Sequence, residues 1–234
     1  MGQRHQIYVK FPGYDQKENA VAGFHHQWLY GMTAVESLAR VVKFYINSRK
    51  DDKEYGPLSC NTGYGLKRQA EVIRALYSVD VETGYWHFVH NLLDEQKDYA
   101  EREKDYEPPS EVKDPRNGDN NDGITIIDLS NGDFRYCFMN IDHLEGEARS
   151  HKAKFKPMTA EEYLLCYYPK FLQKQGNKIY EDGKDTRKRD KVDQETFDRV
   201  TGFLALIEKK AKLLTLAECK KIFPAMYKTK TKEK

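Results

Sequence analysis

The sequence predicts an α+β fold: a single domain in which an antiparallel or mixed sheet, built from two hairpins, is covered by about six helices. Three observations carry this prediction. Residues 4–11 and 21–30 alternate their side chains with a period of two, the signature of strands. GITIIDLS and DFRYCFMNI are β-rich runs joined by Asn131-Gly132, a preferred two-residue hairpin turn in which both positions tolerate positive φ. The remaining apolar residues recur mostly at helical spacing, so hairpins rather than β-α-β crossovers set the topology.

The elements follow in order. In the first strand His5, Ile7, Val9 and Phe11 share one face, and Arg4, Gln6, Tyr8 and Lys10 the other. Pro12-Gly13 ends it, and a polar loop over 14–19 leads to the second strand. Thr33 and Glu36 have the spacing of a capping box, which predicts a helix over 34–48. A second helix is expected over 66–77 and a third over 85–100. The acidic segment 101–122 reads as a long loop. After the Asn131-Gly132 hairpin come helices over 160–173, behind a Thr159–Glu162 box and broken or kinked by Pro169, over 194–212 behind Asp193, and a short one behind Thr215 and Glu218. The domain is expected to span 1–227, with 228–234 a basic disordered tail.

Composition narrows the class. The chain has 234 residues, 39% of them hydrophobic and 32% charged, enough to bury a core. No run approaches the roughly 18 apolar residues that span a bilayer. The first residues lack an apolar signal core, and Gln6 stands where a myristoylation signal wants Ser or Thr, so a soluble, unprocessed, cytoplasmic protein with no membrane partner is expected. Cys60, Cys137, Cys166 and Cys219 form no CxxC pair and read as buried, reduced thiols. A net charge of +2 creates no global field for nucleic acid.

Candidate chemistry concentrates in the two opening strands. Arg4, Gln6, Gln27 and Trp28 are candidate ligand-binding residues, because a guanidinium forks onto phosphate and an indole stacks on a ring. His5, His25 and His26 are the candidate catalytic residues, since imidazole donates or relays protons near neutral pH. The structural alternative is that these groups satisfy one another across a half-exposed sheet.

Three further constellations are weaker. NTGYGLKR places glycines before a helix, with Lys67 and Arg68 as candidate anion ligands, but lacks phosphate-loop spacing. In NGDNNDG, Asp119 and Asp122 are candidate metal ligands, making a divalent metal a candidate cofactor, although the run is out of register with a calcium loop. His87, His90 and Asp94 would share one face of the third helix.

Taken together, GQRHQ at 2–6, HHQWLYG at 25–31 and DNNDG at 119–123 resemble a family of hypothetical proteins, chiefly viral and fungal. That family begins Met-Gly-Gln-Arg-His-Gln and shares the HHQWLYG block. The likeness covers the first thirty-odd residues and a stretch around 117–140, and it carries no established activity. It implies that the three blocks belong to one unit and meet in space.

The functional expectation is a polar His/Arg/Trp pocket for a phosphate-bearing ligand, a nucleotide or a nucleic-acid end. Phosphodiester hydrolysis is the chemistry that histidines and carboxylates would carry there, without a nuclease signature to support it. The rival expectation is a non-enzymatic interaction protein, such as a viral factor that blocks a host protein, using the acidic 94–122 segment. Nucleic-acid binding through the basic tail and the connector 184–191 is a third.

Overall fold

The computed structural model describes residues 4–11, 21–51, 72–73, 75–77, 86–87, 114–115, 122–139, 155–169, 171–172, 174–175, 178–180 and 191–227. Their centre is a mixed six-stranded sheet. Strands β1 (Arg4–Lys10) and β2 (Val21–Gln27) pair antiparallel, with His5 opposite His26 and Ile7 opposite Phe24. β4 (Ile124–Asp128) lies parallel to β1 on its other side and antiparallel to β5 (Arg135–Met139). The edges are β3 (Trp86–His87) beside β2 and β9 (Lys212–Leu213) beside β5, giving the order β3-β2-β1-β4-β5-β9. A separate three-stranded sheet joins β6 (Lys174–Gln175), β7 (Lys178–Tyr180) and β8 (Lys191–Val192).

Both faces of the main sheet are covered. On one face Ile7, Val9, Phe24, Ile127 and Phe138 pack with α1 (Gly31–Asp51), α2 (Ala160–Tyr167) and α3 (Gln194–Lys210). On the other, Tyr8, Ile124, Ile126, Cys137 and Met139 pack with α4 (Leu216–Ile222) and the 3-10 turn Ala225–Tyr227 through Cys219, Phe223 and Met226. Each fully buried large apolar side chain contributes roughly 1.5–3 kcal/mol. The second layer covers the face of Gln6 and Tyr8. Tyr8 is buried against Phe223, ring centroids 5.2 Å apart, and gives its hydroxyl to Gln6 Oε1 at 2.8 Å.

Several boundaries differ from the sequence reading for local reasons. Helix α1 starts at Gly31, so Thr33 sits inside the first turn and makes no capping box. Glu36 instead receives Arg40 Nη2 at 2.7 Å, one turn on. Helix α2 stops at Tyr167, because Pro169 cannot continue it. The boxes at Thr159–Glu162 and Thr215–Glu218, and the Asp193 cap, form as their spacing predicts.

In the β4–β5 hairpin only Gly132 takes positive φ, at 76°, so the two-residue turn does not form. Asp128 captures the Ser130 amide and hydroxyl at 2.9 and 2.5 Å, and the connection widens to 129–134. Trp86–His87 pairs with β2 where a helix over 85–100 was expected. His87 thus lies in a strand rather than on the expected helix, and His90 and Asp94 lie outside the described residues. Among the described residues four α-helices have defined bounds, fewer than the six expected; 72–73 and 75–76 are also helical.

Candidate functional site

One end of the main sheet gathers the opening of β1, the close of β2, the approach to β4 and the end of α2. The described residues of the three blocks, 4–6, 25–31 and 122–123, meet there. His5 faces His26 across the β1–β2 ladder, Gln6 faces His25, and the Gln6 amide donates to the Gly123 carbonyl at 3.2 Å.

The period of two sends these residues to opposite faces. His5 and His26 lie on the face of α1 and α2, while Gln6 and His25 lie on the face of Tyr8. Gln6 and His25 are both buried, at 2% and 3% exposure. Arg4 stands opposite Gln27 in the strand register.

His5 is fully buried and has partners on each ring nitrogen. Nε2 lies 2.7 Å from Thr125 Oγ1, Nδ1 lies 3.4 Å from the Tyr163 hydroxyl, and the ring also bonds the Asp122 backbone. Burial pushes the imidazole from 6.5 down to about 3, so it is neutral across the physiological range. His5 therefore does not exchange protons with solvent.

Around it runs a tyrosine network that sequence reasoning missed. Tyr163 and Tyr167, one turn apart on α2, both donate to the Asp122 carbonyl, at 3.1 and 2.7 Å. The Gly31 amide, first in α1, bonds the Tyr163 oxygen. Burial raises both phenols above their usual range, so they act as neutral donors. Tyr163 stacks on Phe138 at 4.3 Å, and Tyr30 approaches Tyr167 at 5.7 Å. The spacing of 163 and 167 could have flagged one helical face, but such a pair reads equally well as core.

Trp28 differs from all of these. It is 60% exposed and non-glycine, yet its φ is 66°, in the left-handed region where a bulky residue is an outlier. The chain turns there from β2 into α1, with Leu29 fully buried beneath and Gly31 also left-handed at φ 52°. The first turn of α1 carries no acidic residue, leaving the positive end of the helix dipole uncompensated by its own side chains.

Of the predicted metal ligands, Asp122 is buried and contributes its carbonyl to this cluster. No group of three or more His, Cys, Asp or Glu close enough to hold a metal ion occurs among the described residues. Asp119, Lys67, Arg68, the connector 184–190 and the tail 228–234 lie outside the described residues. No helix among the described residues is long and apolar enough to cross a membrane. The chain matches no family model, no curated protein and no solved structure.

Proposed function

We propose that the protein binds a phosphate-bearing ligand, a nucleotide or a nucleic-acid end, at the sheet end around Trp28. The single observation that carries this reading is an exposed indole held in a strained backbone conformation, because strain of this kind persists where the surroundings over-determine it and clusters at ligand clamps. Trp28 supplies a ring for stacking. His26, half-buried at the end of β2, supplies a donor for an anion. Arg4, opposite Gln27 in register, is the candidate phosphate clamp at this end of the strands. His5, Gln6, His25 and the tyrosines hold the strands rather than face the ligand. If phosphodiester hydrolysis follows binding, His26 is the imidazole placed to move the proton.

The test is a titration with AMP, ATP and inorganic phosphate, followed by tryptophan fluorescence in a Trp86→Phe background and by thermal shift. Nucleotides should quench Trp28 and raise the melting temperature, and His26→Ala should reduce both responses. No response to any of the three ligands removes the pocket reading.

A second reading, a non-enzymatic interaction protein, is favoured by a different observation. Leu213 on the edge strand β9 and Leu216 at the start of α4 are 41% and 42% exposed. The acidic stretch expected to make such a contact is a poorer candidate where it is described, since Asp114 and Asp122 are buried. Under this reading phosphate ligands leave the melting temperature unchanged, and Leu213→Asp weakens association with the partner.

A further inference from the structure

The face of the sheet opposite the tyrosine network holds two cysteines that the proposed site does not use. Cys137, in β5, and Cys219, in α4, are both fully buried, and their sulfurs lie 3.6 Å apart across 82 residues of sequence. Both are free thiols. A disulfide needs about 2.05 Å between sulfurs, so the two must still approach. They already face each other with no atom to displace between them. Small apolar packing explains one buried cysteine well. It does not require two to meet, sulfur to sulfur, from separate elements.

The element carrying Cys219 is built to release. Helix α4 has seven residues, and four of them, Leu216, Ala217, Lys220 and Lys221, are exposed, with Glu218 and Ile222 half-buried. It is held at its start by the Thr215–Glu218 capping box and by an ion pair from Arg135, two residues before Cys137 on β5, to Glu218. Its buried anchors are Cys219 itself, then Phe223 and Met226 just beyond. Short terminal elements with few buried groups open locally at low cost.

We propose that Cys137 and Cys219 form a reversible disulfide latch that fastens α4 to β5 when the protein meets a peroxide. The closed pair is sealed from oxidant, and burial raises the Cys137 thiol well above its usual range. Oxidation therefore waits for α4 to lift. Cys219 leaves with the helix and reacts first. Its thiolate attacks one oxygen of hydrogen peroxide, the O–O bond breaks, and hydroxide leaves to become water with the thiol proton. When α4 reseats, the Cys137 sulfur attacks the resulting sulfenic acid, the S–O bond breaks, and a second water departs carrying the Cys137 proton. Two thiols and one peroxide give one disulfide and two waters.

The experiment treats the full chain, with Cys60→Ser and Cys166→Ser, with hydrogen peroxide under native conditions. The expected result is paired loss of both thiols and a proteolytic fragment joining Cys137 to Cys219 that dithiothreitol separates. The melting temperature should rise on oxidation, and should not in a Cys219→Ser variant. Thr215→Ala, which removes the cap but no sulfur, should speed cross-linking about fivefold, the factor by which losing a helix cap shifts a local opening. Oxidation to sulfinic or sulfonic acid without the cross-link, a cross-link that appears only in denaturant, or a fall in melting temperature overturns the latch. A rate unchanged by Thr215→Ala overturns α4 as the part that moves.

Discussion

His5 Nε2 and Thr125 Oγ1 meet at 2.7 Å across the parallel β1–β4 pair, in a place with no exposure at either residue. This bond, with the backbone contact to Asp122, makes His5 a neutral polar bolt between two central strands. Its proton balance gives the first prediction. The folded state holds the imidazole at about 3 against 6.5 for the free side chain, so below 6.5 the unfolded chain binds a proton that the native chain refuses. Stability attributable to His5 is intact above pH 6.5 and falls as pH drops from there toward 3. At pH 5 the loss is about 2 kcal/mol relative to neutral pH. Urea unfolding at pH 7.5 and pH 5.0 should show this loss, and in His5→Gln the difference between the two pH values should shrink by that amount.

Tyr163→Phe isolates one hydroxyl. The ring keeps its stack on Phe138, while the Asp122 carbonyl, the Gly31 amide and His5 Nδ1 each lose a partner. Leaving buried polar groups unsatisfied costs about 1–3 kcal/mol. The variant should lose stability in that range by chemical denaturation, and its far-ultraviolet spectrum should be unchanged. A neutral effect would mean that the carbonyl is fully served by Tyr167.

The two hairpins and the caps were legible because their signals are local. Alternation in 4–11 and 21–27 needs only the pleat, and Thr159, Asp193 and Thr215 cap their helices by side-chain reach alone. What was not legible depends on distant chain. Nothing in residues 4–10 announces that β4 joins them in parallel, or that Phe223 will cover Tyr8 from more than two hundred residues away. Polar tips such as those of Gln6 and Tyr8 usually face water; here the Tyr8 hydroxyl donates to Gln6 instead. The pairing of the two histidine-bearing strands was legible, but the burial of each side chain was not. Histidines cannot reveal from sequence which is sealed, and Tyr163 and Tyr167 looked like ordinary core. Trp28 read as an aromatic continuing the strand, and its backbone strain has no sequence signature.

Glycines 123 and 202 should respond in opposite directions to the same change. Gly123 has φ 117°, and a Cβ there would sit 2.5 Å from the Met139 carbonyl oxygen on the paired strand. Backbone strain alone is of order 1–3 kcal/mol, and the clash with a ladder carbonyl adds to it. Gly123→Ala should therefore be severely destabilising by denaturant midpoint. Gly202 lies within α3 with nothing inside 4 Å of its would-be Cβ. Gly202→Ala should raise stability by about 0.5–1 kcal/mol through helix propensity and a less disordered unfolded chain. Equal effects at the two sites would contradict the backbone geometry at 123.

Trp28→Gly separates stability from binding. The side chain is 60% exposed, so its removal gives up little buried area, and its φ of 66° is a conformation that glycine adopts freely. A left-handed non-glycine residue costs roughly 1–2 kcal/mol, partly offset in the variant by the larger entropy of an unfolded glycine. The net expectation is a variant as stable as the wild type or more stable by up to about 1 kcal/mol, measured by urea unfolding. The same variant should lose the nucleotide-induced thermal shift, because the stacking surface is gone. That combination is the mark of a residue kept for a ligand at the expense of stability. Were Trp28 instead a structural residue, replacing it with glycine would lower the unfolding midpoint and leave any ligand response in place.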